Sequence, residues 1–233
     1  MATIAPPARP AEIEKSDIGG GFRDIDPGGG GGDSPQDPRP AFPLRRYRTG
    51  MWFALAPIVM LFTAFGSAYI VRQGLSDDWQ PTALPGLLWG NSLVLVASSV
   101  TMEIARRRTA GLPAAGINFR VHPFPRVPAI RKWLMTTLLL GGLFLLGQLV
   151  AWSQMVARGV YLATNPSSSF FYLLTGAHGL HLLGGILGLA GVTAAVWNRL
   201  TPGGKTGIAV AAIYWHFMDG LWMYVLALLV LVP

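Results

Sequence analysis

Two stretches of this sequence place ionisable side chains inside apolar segments that are long enough to cross a membrane. The first stretch, 170–189, carries His178 and His181 together with five glycines. The second, 208–232, carries His216 and Asp219 three residues apart. An aspartate at mid-membrane costs about 2.5–3.5 kcal/mol on insertion scales, so intramembrane ionisable groups are rare and usually face protein. We therefore look for the chemistry of this chain at these four residues.

Both stretches carry their polar groups on faces made of small residues. At about 100° per helical residue, His178 and His181 share one face with Gly184 and Gly188, whose spacing lets two membrane helices approach closely. His216 and Asp219 lie on one face with alanines and a glycine. The imidazoles are therefore expected to point into protein. The predicted close-packing positions are Gly176, Gly179, Gly184, Gly185, Gly188 and Gly220.

Three functions fit such a set of residues. The first is polar contact between helices in a subunit of a larger complex. The second is axial ligation of a b-type haem by His178 or His181 with His216, which needs imidazoles on facing helices. The third is a proton or solute pathway, because intramembrane carboxylates and histidines also form relays. A haem Soret band in the isolated polypeptide would identify the second function, and transport by the polypeptide alone would identify the third.

Helix depths allow the two stretches to meet. At 1.5 Å per residue, His181 lies about 16 Å below the outer edge of a core about 30 Å thick. His216 and Asp219 lie roughly 12 and 16 Å above the inner edge on the same arithmetic. However, cytochromes of this type usually hold a second histidine pair, and a relay without a second buried carboxylate would be very short. A further acid, Glu103, lies near the end of an apolar run, where an i to i+4 pair with Arg107 is expected.

Composition indicates a membrane protein with several spans. The chain has 233 residues, of which 52% are hydrophobic and 12% charged. Its net charge of +7 comes from basic clusters beside the apolar runs, where cytoplasmic loops carry them, so nucleic acid is not an expected partner. Cysteine is absent, which excludes disulfides and thiolate metal sites. No apolar core of a cleavable secretory signal is found in the first 30 residues.

The fold class expected is an all-α membrane bundle of five transmembrane helices. The apolar runs place the helices at 51–71, 85–105, 133–156, 170–197 and 208–232. Residues 45–233 form this domain, and the preceding Gly, Pro and Asp-rich segment, 1–44, is expected to be a disordered cytoplasmic tail. We find no internal repeat, which disfavours an inverted-repeat transporter.

The distribution of lysine and arginine predicts the orientation. Residues 45–48 at the end of the tail and the second and fourth connecting loops together carry twelve of these residues, whereas the other side carries Arg72 and Arg158. By the positive-inside rule, the N-terminus is cytoplasmic and the C-terminus is exoplasmic.

Three motifs in this sequence resemble motifs that occur together in one known family. Residues 171–185 read FYLLTGAHGLHLLGG, similar to the family's Thr-Gly-x-His-Gly-x-His signature. Residues 214–222 read YWHFMDGLW, similar to its Tyr-Trp-His-Phe-x-Asp-x-x-Trp signature. The second helix adds a pattern of Asn91, Ser92, Ser98, Ser99 and Thr101. The family that these motifs resemble is subunit III of the haem-copper respiratory oxidases, typified by cytochrome c oxidase. The resemblance covers about 45–233.

This resemblance implies a non-catalytic subunit of the short, five-helix type in a bacterial cytoplasmic membrane. Haem and copper would belong to the partner subunits I and II, with no catalytic, cofactor or metal site in this chain. The subunit would support stability and proton uptake of a complex that reduces oxygen with electrons from cytochrome c and pumps protons. A quinol oxidase or a nitric oxide reductase accessory protein is the alternative. The signature residues expected to make polar contacts between helices are His178, His181, His216, Asp219, Asn91, Ser98, Ser99 and Thr101.

The sequence departs from the family pattern at two positions. Where the family commonly has glutamate in its Ser-Glu-x-x-x-Phe stretch, this chain has Ile58. Where the family often has Gln-x-x-Glu-Trp, this chain has Ala151 in place of the glutamate. Both buried carboxylates are therefore expected to be absent, which indicates a mainly mechanical role.

Overall fold

The computed structural model describes residues 44–75, 79, 84–111, 117–118, 126–197 and 199–232. These residues form five helices, each long and apolar enough to cross a membrane, and one pair of short strands. The prediction of five spans is confirmed. The predicted disordered tail lies outside the described residues, apart from Leu44. The elements are α1 Leu44–Leu75, α2 Leu87–Ala110, β1 Ile117–Asn118, α3 Arg126–Ala157, α4 Pro166–Ala195, β2 Arg199–Leu200 and α5 Pro202–Leu231.

Capping residues explain where the last two helices begin. Asn165 caps α4: its side chain accepts a 2.7 Å hydrogen bond from the Ser168 backbone, and the Ser168 hydroxyl accepts one from the Asn165 backbone. Thr201 caps α5 by accepting a 3.0 Å hydrogen bond from the Gly204 backbone. A proline follows each cap at the first helical position, where its missing N–H removes no helical hydrogen bond. Both helices therefore begin several residues before their apolar runs.

The core of the bundle lies around α5, which packs against α1, α2 and α4. The α2 helix also packs against α3, and α4 packs against α1 and α3. The bulkiest fully buried side chains include two tryptophans of α5 and aromatic rings of α1, α3 and α4, namely Trp215, Trp222, Tyr69, Phe62, Phe144 and Phe171. Leucines of α3 and α4 cover the outer surface, as expected for helices in contact with lipid.

The strand pair links two loops that are far apart in the sequence. The strands β1 and β2 pair antiparallel, with Ile117 opposite Leu200 and Asn118 opposite Arg199. The guanidinium of Arg131, near the start of α3, also lies 5.4 Å from the ring centroid of Trp197, just after α4. The α2–α3 and α4–α5 connections thus lie at the same end of the bundle, which is how the charge analysis grouped them.

The orientation of this bundle in a membrane stays a prediction, and a reporter fusion tests it. We expect a periplasmic reporter fused after Val232 to be active, and the same reporter fused in the α2–α3 loop to be inactive, because the basic loops remain in the cytoplasm. The measurement is reporter activity in whole cells. Activity of a cytoplasmic reporter at both positions would overturn the assigned orientation.

Candidate functional site

The first signature histidine, His178, is fully buried at the centre of the bundle. Its ring centroid lies 5.8 Å from that of Phe144 on α3 and 5.0 Å from that of Trp222 on α5. Within the described part of the chain, neither ring nitrogen has a hydrogen-bond partner. His178 therefore joins three helices by packing, and not by the hydrogen bonds expected from the sequence.

The second histidine, His181, is half-buried and bonds within its own helix. Its Nδ1 lies 2.7 Å from the carbonyl oxygen of Ala177, one turn earlier. The contact with α5 comes instead from Tyr214, whose hydroxyl donates a 2.8 Å hydrogen bond to the His181 carbonyl. Gly185 permits this approach, since a methyl group there would lie 2.7 Å from the Tyr214 ring. Tyr214 is thus a residue joining α4 and α5 that the sequence analysis did not select.

The polar groups of α5 face α2 rather than α4, which corrects the expected arrangement. His216 Nδ1 lies 3.2 Å from the Ser99 hydroxyl, and its Nε2 lies 3.5 Å from Glu103 Oε2. The Ser99 side chain also lies beside the Asp219 carboxyl, whose Oδ1 is buried and has no hydrogen-bond partner among the described residues. The fully buried Trp215 occupies the core-facing side of α5. His216 follows it about 100° further round the helix and therefore lies on the side that faces α2.

The contact with His216 adds a second carboxylate, that of Glu103, to the ionisable groups of the candidate site. Glu103, His216, Ser99 and Asp219 form a continuous row along the α2–α5 contact. Glu103 also accepts hydrogen bonds from Arg106, at 2.7 and 2.6 Å, and from Arg107, at 2.6 Å. The pair expected between Glu103 and Arg107 is therefore present. A carboxylate, an imidazole, a hydroxyl and a second carboxylate in sequence are groups that can pass a proton.

Two tryptophan–serine hydrogen bonds hold α2 and α5 together. Trp215 Nε1 donates to Ser98 Oγ at 2.9 Å, and Trp222 Nε1 donates to Ser92 Oγ at 2.8 Å. The tryptophan nearer the end of α5 bonds the serine nearer the start of α2, so the two helices run antiparallel. The tryptophans lie in a signature motif, yet neither was predicted to make a contact between helices. Their spacing of seven residues, close to the spacing of six between the serines, was the available signal.

The remaining signature residues of α2 face α3. The Asn91 amide donates a 3.0 Å hydrogen bond to the Phe144 carbonyl, and the Thr101 and Thr137 hydroxyls lie 2.8 Å apart. Asn91, Ser98, Ser99 and Thr101 are all buried. All four make polar contacts between helices, Ser98 and Ser99 to α5 and the other two to α3.

The predicted close-packing glycines divide into two groups. Methyl groups at Gly176 and Gly179 would be in ordinary contact with α3, and Gly185 lies against Tyr214. At Gly184, Gly188 and Gly220 a methyl group would have no atom within 4 Å. The packing expected at Gly184 and Gly188 therefore does not occur within the described residues. These two glycines instead line a groove of about 370 Å³ that also includes Met51.

The contacts of the described residues bear on the haem hypothesis as well. His178 lies between α3 and α5, whereas His216 faces α2, so the two imidazoles do not face each other across one space. In the described ranges, no three His, Asp or Glu side chains converge in a way that would hold a metal ion. The absence of cofactors from this chain stays a prediction.

Comparison with known proteins agrees with the motifs. The family model described as cytochrome c oxidase subunit III matches residues 47–231. Cytochrome c oxidase subunit 3 of Thermostichus vulcanus is 31% identical over 181 residues, 73% of this chain and 79% of that protein. The protein of the same name in Synechocystis is 30% identical over 180 residues, 73% of this chain and 69% of the relative. Quinol oxidase subunit 3 of Bacillus subtilis is 29% identical over 182 residues, 76% of this chain and 82% of the relative. The chain therefore belongs to the cytochrome c oxidase subunit III family.

Proposed function

We propose that this chain is a non-catalytic scaffold subunit of a haem-copper terminal oxidase in a bacterial cytoplasmic membrane, where it binds subunits I and II and lipid. The observation that carries the proposal is how the signature residues are used. Ser92, Ser98 and Asn91 are buried and bonded to neighbouring helices. A binding site leaves polar groups accessible to a ligand, whereas here they hold the bundle together. Haem and copper would then reside in the partner subunits.

The complex would reduce oxygen to water with electrons from cytochrome c and pump protons. Support for this donor comes from the relatives of Thermostichus vulcanus and Synechocystis, whose names are those of cytochrome c oxidase subunits. The second candidate donor is quinol, favoured by the relative from Bacillus subtilis. Oxygen uptake by the purified complex with reduced cytochrome c, compared with uptake with a quinol, distinguishes the two donors.

The contribution to proton uptake rests on different groups from those common in the family. Neither Ala151 nor Ile58 has a carboxylate. Ala151 is fully buried and Ile58 packs against the core. The row of Glu103, His216, Ser99 and Asp219 offers proton-carrying groups at another place, on the contact of α2 with α5. This row supports a role in proton uptake beside the mechanical one.

Removing the subunit from the purified oxidase tests the proposed function. We expect the haem spectra and the initial rate of oxygen consumption to stay largely intact, with activity decaying faster over repeated turnover, because a scaffold protects the catalytic subunits without reacting itself. The measurement is oxygen uptake against the number of turnovers, alongside the reduced-minus-oxidised spectrum, with and without the subunit.

Two outcomes would contradict the proposal. Loss of a haem band on removal would show that this polypeptide carries a cofactor. Identical decay in both preparations would remove the support for a stabilising role. Adding the purified subunit back to the depleted complex is the control, since it should restore the slower decay.

A further inference from the structure

A stripe of α5 stays uncovered between α1 and α2. Both helices pack against α5 from different sides, and the stripe between them consists of His216, Gly220, Met223 and Ala227, which recur every three or four residues. The His216 side chain is 41% exposed and Met223 is 38% exposed. A cavity of about 420 Å³ at the basic end of this notch is lined from all three helices, by Arg48 of α1, Arg106 of α2 and His216 of α5 among others.

Lipid is a poor occupant for this notch. His216 is ionisable and its side chain is exposed within a membrane-spanning helix. Such groups nearly always face protein or a water-filled cavity, because acyl chains offer no hydrogen bonds. The exposed row on α3 provides the contrast: Leu139, Leu143 and Leu146 are 70%, 50% and 61% exposed and entirely apolar, as lipid requires.

The shape of the stripe also fits a helix. A first side-chain carbon added at Gly220 would meet nothing within 4 Å, and Ala227 two turns further on is small. Small residues at such positions allow two membrane helices to approach closely enough for backbone contact. Small residues at these two positions would not be needed if only mobile acyl chains covered the stripe.

Charge indicates what the incoming helix carries. At the basic end of the notch, Arg48, Arg106 and Arg107 line its cavities together with one acid, Glu103. Three guanidinium groups beside one carboxylate leave excess positive charge, which an acidic side chain on the partner would balance. Higher in the notch, the exposed imidazole of His216 calls for a hydrogen-bonding side chain.

We infer that the notch between α1 and α2, with the α5 stripe as its floor, is where a transmembrane helix of another oxidase subunit docks. This helix presents small residues to Gly220, a hydrogen-bonding side chain to His216 and an acidic residue to the arginines at the basic end. The inference rests on the proposed function and names the surface through which that function is exerted.

Site-directed photocrosslinking in the intact complex tests the docking surface, and the absence of cysteine from the chain makes single-cysteine variants selective. Met223→Cys places the probe in the notch, and Leu139→Cys on α3 is the matched control on an apolar exposed face. Each variant is purified as the free subunit and labelled with benzophenone maleimide, and it is then added back to the depleted complex and irradiated. We expect Met223→Cys to give a covalent product with another subunit, and Leu139→Cys to give none.

Several results would overturn the inference while leaving the proposed function intact. These are equal products from both positions, a product from Leu139→Cys only, no product from Met223→Cys in a complex that retains the subunit, or a product of two copies of this chain. Failure of this chain to co-purify with haem-containing subunits would instead refute the proposed function.

A second pair of variants measures the contribution of close approach. Gly220→Leu fills the notch, whereas Gly142→Leu adds the same side chain on α3, where there is equally open space. Because the first side-chain carbon would meet no described atom within 4 Å at either position, both subunits should fold alone, which size-exclusion chromatography checks. We expect Gly220→Leu to lower the subunit retained in the complex about tenfold relative to Gly142→Leu. Equal retention of the two variants would contradict close helix packing at Gly220.

Discussion

Replacing Trp222 with alanine is expected to destabilise the folded subunit by about 3 kcal/mol, the lower end of the range for removing a buried tryptophan. The lower end applies because the unfolded helices remain in lipid, so the transfer from water contributes little. What is lost is packing, since the Trp222 ring contacts both Phe144 and His178, and the hydrogen bond to Ser92. The measurement is the thermal midpoint of the purified subunit in detergent.

Two further variants separate these contributions. Trp222→Phe keeps most of the ring but removes the indole donor, and it should cost only about 1 kcal/mol, because Ser92 still donates to the Leu88 carbonyl. Trp89→Ala is the matched control, since Trp89 lies on α2 and is 58% exposed. A loss at Trp89→Ala equal to that at Trp222→Ala would show that the measurement reports general loss of aromatic surface rather than packing in the core.

Replacing Gly147 with leucine is expected to separate α2 from α3. A first side-chain carbon at this position would overlap Oδ1 of Asn91 and lie 2.9 Å from its Cγ. Asn91 would have to move, which breaks its hydrogen bond to the Phe144 carbonyl and leaves a buried amide unpaired. Overpacking and the lost hydrogen bond together cost about 2–5 kcal/mol. The yield of folded subunit in membranes should fall accordingly.

Gly142→Leu again supplies the control for this prediction, because it adds the same side chain to the same helix where no atom lies within 4 Å. Yield is measured as the monodisperse fraction after detergent extraction. If Gly147→Leu and Gly142→Leu gave the same yield, the close contact of α2 with α3 at Asn91 would not limit folding. The double variant Gly147→Leu with Asn91→Ala should recover part of the loss, since it relieves the overlap.

Hydropathy was sufficient to find every helix but not to find where each one begins. The apolar runs start at 133 and 208, whereas α3 and α5 begin at Arg126 and Pro202. A hydropathy pattern detects the part of a helix that lies in lipid and misses turns that extend beyond it. The start of α4 was readable from local chemistry, because Asn165 followed by Pro166 is typical of a helix N-terminus. The strand pair was not readable, since its two-residue strands lie far apart in the sequence.

The candidate site was only partly predictable for a related reason. Residue type and helical spacing correctly marked His178 and the α2 polar residues as inward-facing. They could not say which neighbouring helix each residue meets, because that depends on how five apolar faces assemble. His216 therefore lies against Ser99 and not against α4. Gly184 and Gly188 carry a packing motif but are exposed in this chain, because a motif specifies close approach without specifying a partner.

The pairing of β1 with β2 constrains the order in which the chain can be assembled. Its two strands are joined by α3, α4 and their connections, so β1 cannot find its partner until both intervening helices have been synthesised. At about 5–20 residues per second of translation, the loop after α2 waits roughly 4–16 s before β2 emerges. During that interval α3 and α4 must cross the bilayer in opposite directions as a hairpin, since only then do both strands reach the same surface. In a nascent chain in which either helix fails to insert, β1 has no partner. Pairing of β1 with β2 is therefore possible only after both helices have inserted correctly.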